Sequence, residues 1–138
     1  MQSKLNPYIN FKDNAREAMD FYKTVFGGKL DINTFGDYHM SDDPSEADKV
    51  MHSVLEADNG ITFMAADTPN SLTYEPGKTI TMALNGDNDD ELSAYYEKLA
   101  AGGKVIVPLN NAPWGDKFGM VVDKFGVQWL VNVAGKKE

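Results

Sequence analysis

The sequence has 138 residues, which fits one domain, and 42% of them are hydrophobic, which is enough to form a sizeable core. It contains no cysteine, which excludes disulfides, a thiolate nucleophile and thiolate metal ligands. The net charge of -8 disfavours nucleic acid and anionic membranes as partners. Because the sequence has no signal-peptide pattern and no long apolar run, we expect a soluble cytoplasmic protein.

The first half begins with a short predicted strand, 7–11, and a helix whose sequence is DNAREAMDFYKTVFGG, 13–28. Asn14 and Glu17 have the spacing of a capping box at the start of this helix. The Gly-Gly pair at its end predicts a left-handed stop. Between these ends, apolar residues recur at three- and four-residue steps and form one stripe. The stripe consists of Ala15, Met19, Tyr22, Val25 and Phe26.

The remaining elements are predicted from the spacing of apolar residues and from turn signals. The first half continues with predicted strands at 29–38, 50–58 and 60–66. A bridge rich in turn residues spans 67–78. The second half has a strand at 79–86, a helix at 87–103 and strands at 104–109, 118–123 and 126–133.

The two predicted helices repeat one phrase. A shift of 74 positions places Asp13 on Asp87, Asn14 on Asn88, Glu17 on Glu91, Tyr22 on Tyr96 and Gly28 on Gly102. The last strands match at a shift of 66, so the first half is longer by eight residues (74 − 66 = 8), which we place in the acidic loop 39–49. The repeat predicts an α+β fold of two βαβββ modules, about 5–66 and 79–134.

Alternation along the strands separates an apolar face, which would pack on the helix, from a small, polar or mixed face. The predicted apolar face contains Ile9, Phe11, Ile61, Phe63, Ala65, Ile80, Met82, Leu84, Val127, Trp129, Val131 and Val133. The other face contains Tyr8, Asn10, Thr62, Met64, Thr79, Thr81, Gln128 and Leu130. This second face suits a modest organic ligand, and a solvated surface or a subunit interface is the alternative.

Few residues offer catalytic chemistry. His39 lies in a predicted loop, where a solvated side chain is the simpler interpretation. His52 shares one strand face with Glu56, and the pair could act in acid–base chemistry or hold a metal weakly. A buried structural histidine is the alternative for His52. No phosphate-binding glycine loop and no serine-nucleophile motif is present.

Trp114 stands in a Pro-Trp-Gly turn and is too large and apolar to be left exposed without a cause. We favour a role as a wall or lid of the ligand site or as a dimer contact. The alternative is that Trp114 folds back onto its own sheet.

Three segments carry a family resemblance: NPYINFKDNAREAMDFYKTVFGGKL, MHSVLEADNGITFMAAD and LAAGGKVIVPLNNAPWGDKFGMVVDKFGVQWLVN. They resemble the PhnB-like branch of the vicinal oxygen chelate superfamily, which includes glyoxalase I, bleomycin resistance proteins and extradiol dioxygenases. The resemblance runs from about Pro7 to Val133. It implies two βαβββ modules that form a cupped mixed sheet, and a homodimer.

The resemblance also implies where a divalent metal would be held in the superfamily's enzymes. Those positions fall near Tyr8 or Asn10, Met64, Thr79 or Thr81, and Leu130, and none of these is a metal ligand. We therefore expect no metal and no cofactor, and metal-free binding of a small organic ligand to Tyr8, Asn10, Thr62, Met64, Thr81, Trp114, Gln128 and Leu130. The alternative is a metal-dependent glyoxalase- or dioxygenase-type enzyme that uses His52 and Glu56.

Overall fold

The computed structural model describes residues 3, 5–39, 43–77 and 79–135, with Asn59 described by its backbone alone. Part of the predicted acidic loop, 40–42, and the last residue of the predicted bridge, Lys78, lie outside these residues. The chain divides into two compact units, residues 1–76 and 77–138, which correspond to the two modules. Within the described part of the chain, no helix has the length and apolar character needed to cross a membrane.

Module one contains one helix and a four-stranded mixed sheet. Its elements are β1 (Tyr8–Phe11), α1 (Ala15–Phe26), β2 (Lys29–Thr34), β3 (Val50–Glu56) and β4 (Thr62–Asp67). The strand order is β1-β4-β3-β2, in which β1 and β4 are parallel and the other neighbours antiparallel. Short 3₁₀ turns lie in the connections, at Gly36–Tyr38, Pro44–Glu46 and Asp58–Gly60.

Module two repeats this arrangement. Its elements are β5 (Met82–Gly86), α2 (Asp89–Ala100), β6 (Lys104–Asn111), β7 (Lys117–Val122) and β8 (Gln128–Val133). The order β5-β8-β7-β6, with β5 parallel to β8, is the order of module one. The predicted α+β class and the two βαβββ modules are confirmed.

The predicted shifts also hold in the structure. Residues 15–26 of α1 shifted by 74 give the bounds of α2, and residues 62–67 of β4 shifted by 66 give those of β8. The change of shift falls between the second and third strand of each module. There the connection 35–49 in module one replaces the short turn 112–116 in module two.

Each helix buries its apolar stripe against one face of its own sheet. In module one the ring of Phe63 lies 5.5 Å from the ring of Tyr22 and 6.0 Å from that of Phe26, both on α1. In module two a side chain at Gly119 would collide with the ring of Tyr96 on α2, so this glycine lets the helix approach β7. The predicted stripe residues of α1 are all buried.

The glycines after each helix have a shared structural reason. A Cβ at Gly28 would lie 2.2 Å from the carbonyl oxygen of Glu56, and a Cβ at Gly103 would lie 2.2 Å from that of Val122. Glu56 and Val122 are equivalent by the shift of 66, so both modules bring the chain after the helix against the same strand position. Only glycine permits this backbone contact, and Gly28 also has a positive φ of 91°.

The predicted capping box of α1 is wrong, while the N-cap of α2 is confirmed. The side chain of Asn88 accepts a hydrogen bond from the Glu91 amide at 3.1 Å. The side chain of Asn14 makes no cap hydrogen bond. Instead, Asp67 Oδ1 accepts a hydrogen bond from the Ala15 amide at 2.9 Å, so α1 is capped from the end of β4. Spacing within the helix could not show a cap that comes from 52 residues away.

Asp67 was assigned to the bridge from sequence, but it is the last residue of β4 and only 5% exposed. Its second carboxylate oxygen accepts a hydrogen bond from the Val50 amide at 2.9 Å. One buried carboxylate therefore joins the start of α1, the start of β3 and the end of β4.

Two further sequence predictions need correction. The strand predicted at 29–38 ends at Thr34, because Asp37 turns the chain there. Its carboxylate accepts a hydrogen bond from the Thr34 amide, and the Asp37 amide donates to Thr34 Oγ1. Ile80, assigned to the apolar face, precedes β5 and is 81% exposed.

We predict that Asp67→Asn lowers the free energy of unfolding by about 1–3 kcal/mol, because the amide turns an N–H toward one of two buried amide donors. Urea denaturation followed by far-ultraviolet circular dichroism measures this loss. The control is Asp20→Asn on the exposed side of α1, which we expect to change stability by less than about 0.5 kcal/mol. Equal stability of the two variants would contradict the role given to Asp67.

Candidate functional site

The face of each sheet turned away from its helix is called the open face. In module one, the strand register arranges the open face in rows that cross the sheet. One row contains Tyr8, Met64, Val54 and Asp31 on β1, β4, β3 and β2. The next contains Asn10, Ala66, His52 and Asn33, since the pairing of Ser53 with Ala65 places His52 beside Ala66. Three site residues predicted from sequence, Tyr8, Asn10 and Met64, thus meet His52 on one face.

An aromatic pair stands at the centre of this face. The rings of Tyr8 and His52 are stacked with centroids 5.9 Å apart and an interplanar angle of 29°. Tyr8 is on β1 and His52 is on β3, so their contact crosses β4. Tyr8 stays 47% exposed, and partial burial raises the pKa of its hydroxyl above the ordinary value of 10.0. The pair presents flat apolar surface with polar atoms at its edges.

Glu56 lies apart from His52. It pairs with Thr62 and Lys29 in a third row at the far end of the sheet, and Val54 separates it from His52 on the same face. Four residues along a strand span roughly 13 Å, which is too far for both side chains to share one small ion comfortably. Among the described residues, no three His, Asp or Glu side chains come together in a way that could hold a metal.

The open face of module two has a different chemistry. Leu130 lies between Ala83 and Met120, and Thr81 Oγ1 donates to Gln128 Oε1 at 3.5 Å at the neighbouring end. A further row contains Asn85, Asn132, Phe118 and Asn110. The predicted site residues of this module, Thr81, Gln128 and Leu130, are therefore neighbours on one surface.

Trp114 occupies the tight turn between β6 and β7. It is 63% exposed, and its ring makes an edge contact with Phe118 at 5.8 Å and 71°. Asp116 anchors the turn by accepting hydrogen bonds from the Gly135 amide at 2.8 Å and from Asn132 Nδ2 at 3.1 Å. Trp114 thus rests partly on its own sheet while most of its indole surface stays exposed on an anchored turn.

The shift of 66 relates the two open faces residue by residue. Met64 corresponds to Leu130, Thr62 to Gln128 and His52 to Phe118. Both modules place a ring at the last of these positions, but its partner is Tyr8 on β1 in module one and Trp114 on the turn in module two. The two open faces have therefore diverged from a shared plan.

Sequence reasoning missed several residues that shape the site. Val54 alternates with His52 on its strand but was not named as a site residue. Asn33 and Asn110 could not be found from sequence, because strand pairing alone brings them beside His52 and Phe118. Of the two histidines, His39 has a left-handed backbone and an exposed side chain in the turn after Tyr38.

Asp123, which follows β7, has a definite structural role. Its carboxylate accepts hydrogen bonds from the Phe125 and Val127 amides and from Trp129 Nε1 at 2.8 Å. The acid fixes the turn that enters β8 and so sets the direction of Gln128 and Leu130.

Comparison with known proteins identifies the family to which this fold belongs. The model of the Glyoxalase/Bleomycin resistance protein/Dioxygenase superfamily matches residues 4–131. The chain belongs to this superfamily. A crystal structure of protein PA1353 from Pseudomonas aeruginosa is 36% identical, with a TM-score of 0.85, and the match covers 98% of this chain and all of the other.

Two further proteins are similar to this chain over nearly their whole length. A putative 3-demethylubiquinone-9 3-methyltransferase, the PhnB protein from Bacillus cereus, is 27% identical with a TM-score of 0.73, and the match covers 96% of this chain and all of that one. Protein YjdN from Escherichia coli strain K12 is 26% identical over 94% of both chains. The PhnB-like resemblance predicted from sequence is confirmed.

The superfamily resemblance implies a divalent metal, and the residues present do not fit one. The positions carried over from the superfamily hold phenol, amide, thioether, hydroxyl and isobutyl groups at Tyr8, Asn10, Met64, Thr81 and Leu130. Divalent metals in such sites prefer imidazole or carboxylate ligands. No step of a reaction is therefore derived through a metal ion.

We predict that the Tyr8 hydroxyl loses its proton at a higher pH than an ordinary tyrosine does, because its pKa is raised. Its folded-state pKa is raised above the unfolded value, so stability associated with the neutral phenol is present below about pH 10 and is lost as the pH rises. The difference between the ultraviolet phenolate titrations of the native chain and of Tyr8→Phe isolates this group, because the other tyrosines cancel. In urea, which unfolds the chain, the midpoint of this difference curve should return to about pH 10. A native difference curve with its midpoint at or below that value would contradict the burial of Tyr8 against the sheet.

Proposed function

We propose that this chain is a PhnB-like binding protein that holds a small organic ligand, without a metal ion, on the open face of the module-one sheet. The observation that carries the proposal is the Tyr8–His52 ring pair beside the half-buried side chains of Val54 and Met64. Apolar and aromatic surface with a few polar groups is the usual lining of small-molecule sites. Asn10 supplies such a polar group in the adjacent row.

Binding is a better-supported role than catalysis on this face. The enzyme alternative needs the His52 imidazole and the Glu56 carboxylate to lie within hydrogen-bond reach of the same substrate. His52 has the ring of Tyr8 and the amide of Asn33 beside it, while Glu56 is two rows away at the exposed end of β3. The separation of His52 from Glu56 therefore gives the enzyme alternative less support than binding.

The open face of module two is proposed as a second contact surface. Thr81, Gln128 and Leu130 form a mixed polar and apolar patch, as Thr62 and Met64 do at the equivalent positions of module one. The methyltransferase activity in the name of the Bacillus cereus relative is not carried over, because this sequence has no glycine-rich methyl-donor motif.

The proposal is tested by a thermal-shift screen of small organic compounds in the presence of EDTA, followed by titration calorimetry of the hits. We predict that Met64→Glu weakens hit binding at least about tenfold, because a charged carboxylate replaces half-buried apolar contact surface. Leu72→Glu is the control, since Leu72 is 65% exposed in the segment between the modules and should leave binding unchanged.

Two results would contradict metal-free binding on this face. One is stoichiometric Zn, Fe, Mn or Ni in the purified protein together with hit binding that EDTA abolishes. The other is a set of hits whose affinity is the same for the native chain and for Met64→Glu.

We also propose that the chain is a homodimer, as the superfamily resemblance implies, and that the exposed ring of Trp114 either contacts the second copy or borders a ligand on the open face of module two. Trp114→Ser separates these roles. A dimer contact predicts that sedimentation equilibrium of the variant shifts toward the monomer mass. A ligand wall predicts an unchanged mass with weaker hit binding. An unchanged mass with unchanged binding would contradict both.

A further inference from the structure

We infer that the ligand of the module-one open face is a flat, uncharged aromatic compound that carries a polar group at each end. This inference rests on the proposed function and names the class of compound that the site would take. It follows from the shape of the Tyr8–His52 ring pair, the length of the row that contains His52 and the charge along all three rows.

Shape favours a flat ring system. The stacked rings of Tyr8 and His52 are nearly parallel, because their planes differ by only 29°, so the outer ring face of the pair offers a flat surface. The centroids are 5.9 Å apart, so a third ring does not fit between them and must stack on the outer surface. The neighbouring thioether of Met64 favours contact with the edge of an aromatic ring over contact with a polar group.

The length of the row sets the size of the compound. Asn10 on β1 and Asn33 on β2 lie at the two ends of a row that crosses four strands. Three strand spacings amount to about 14 Å. Asn10 is exposed and Asn33 half-buried, and each amide offers both a donor and an acceptor. A compound that reaches both amides needs about two linked rings with a hydroxyl or carbonyl group at each end.

Charge on the face disfavours anions. Along the three rows, the carboxylates are those of Asp31 and Glu56, and the one lysine is Lys29 at the far end. The Lys29 ammonium lies 3.9 Å from the Asp31 carboxylate, and this ion pair offsets part of the lysine's positive charge. An anionic compound would therefore face two carboxylates with little compensation, within a chain of net charge -8.

Three matched probes test the inference by titration calorimetry in EDTA. They are 4,4'-dihydroxybiphenyl, its saturated counterpart 4,4'-dihydroxybicyclohexyl, and biphenyl-4,4'-dicarboxylate. We expect the aromatic diol to bind most tightly. Tyr8→Leu should weaken its binding about threefold to tenfold, the range of an aromatic contact, while Tyr8→Phe should keep most of the affinity. Tyr38→Leu removes an exposed tyrosine elsewhere and serves as the matched control.

The outcomes separate this inference from the proposed function. If the saturated diol binds as tightly as the aromatic one, or the dicarboxylate binds best, the aromatic class is overturned while binding of a small molecule stands. If none of the probes binds, the inference is overturned, and the broader screen with Met64→Glu decides the proposed function separately. If Tyr8→Leu and Tyr38→Leu change affinity equally, the platform assigned to Tyr8 is wrong.

Discussion

Each module of this chain covers one face of a four-stranded sheet with a twelve-residue helix and leaves the opposite face to other contacts. This constraint decides which residues are structural and which are free to carry function. The helix side demands large apolar groups such as Phe63 and Trp129, and glycine where the chain passes close to a strand, as at Gly28. The open face is released from those demands and therefore holds the mixed polar and aromatic set expected of a binding surface.

The sequence predicted most of the frame. The repeated phrase gave the two helices and their shift of 74, and strand alternation identified Tyr8, Asn10 and Met64 as neighbours on one face. Local sequence patterns failed to predict contacts made by residues far away in the sequence. Asp67 caps α1 across 52 residues, and Asn33 joins the row of His52 only through strand pairing. Such contacts have no signature in a short window of sequence.

Divergence between the modules is informative about function because the frame is held constant. At equivalent positions, module one has His52 where module two has Phe118, and Met64 where module two has Leu130. The ring partner changes as well, from a strand residue to the anchored Trp114. The two open faces therefore carry distinct aromatic pairs on equivalent sheets. Membership of the superfamily does not by itself establish metal chemistry here. The positions that hold the metal in the superfamily's enzymes carry no imidazole or carboxylate group in this chain.

Metal-free binding of a small molecule to the open face of module one can be tested residue by residue. The most direct measurement is an amide nitrogen–proton NMR titration of the chain with a screening hit in EDTA. We expect the largest changes in amide shift at Tyr8, Asn10, His52 and Met64, and little change at the helix-facing residues Leu55 and Phe63. Changes concentrated on the helix-facing side, or changes that appear only after a divalent metal is added, would contradict metal-free binding to this face.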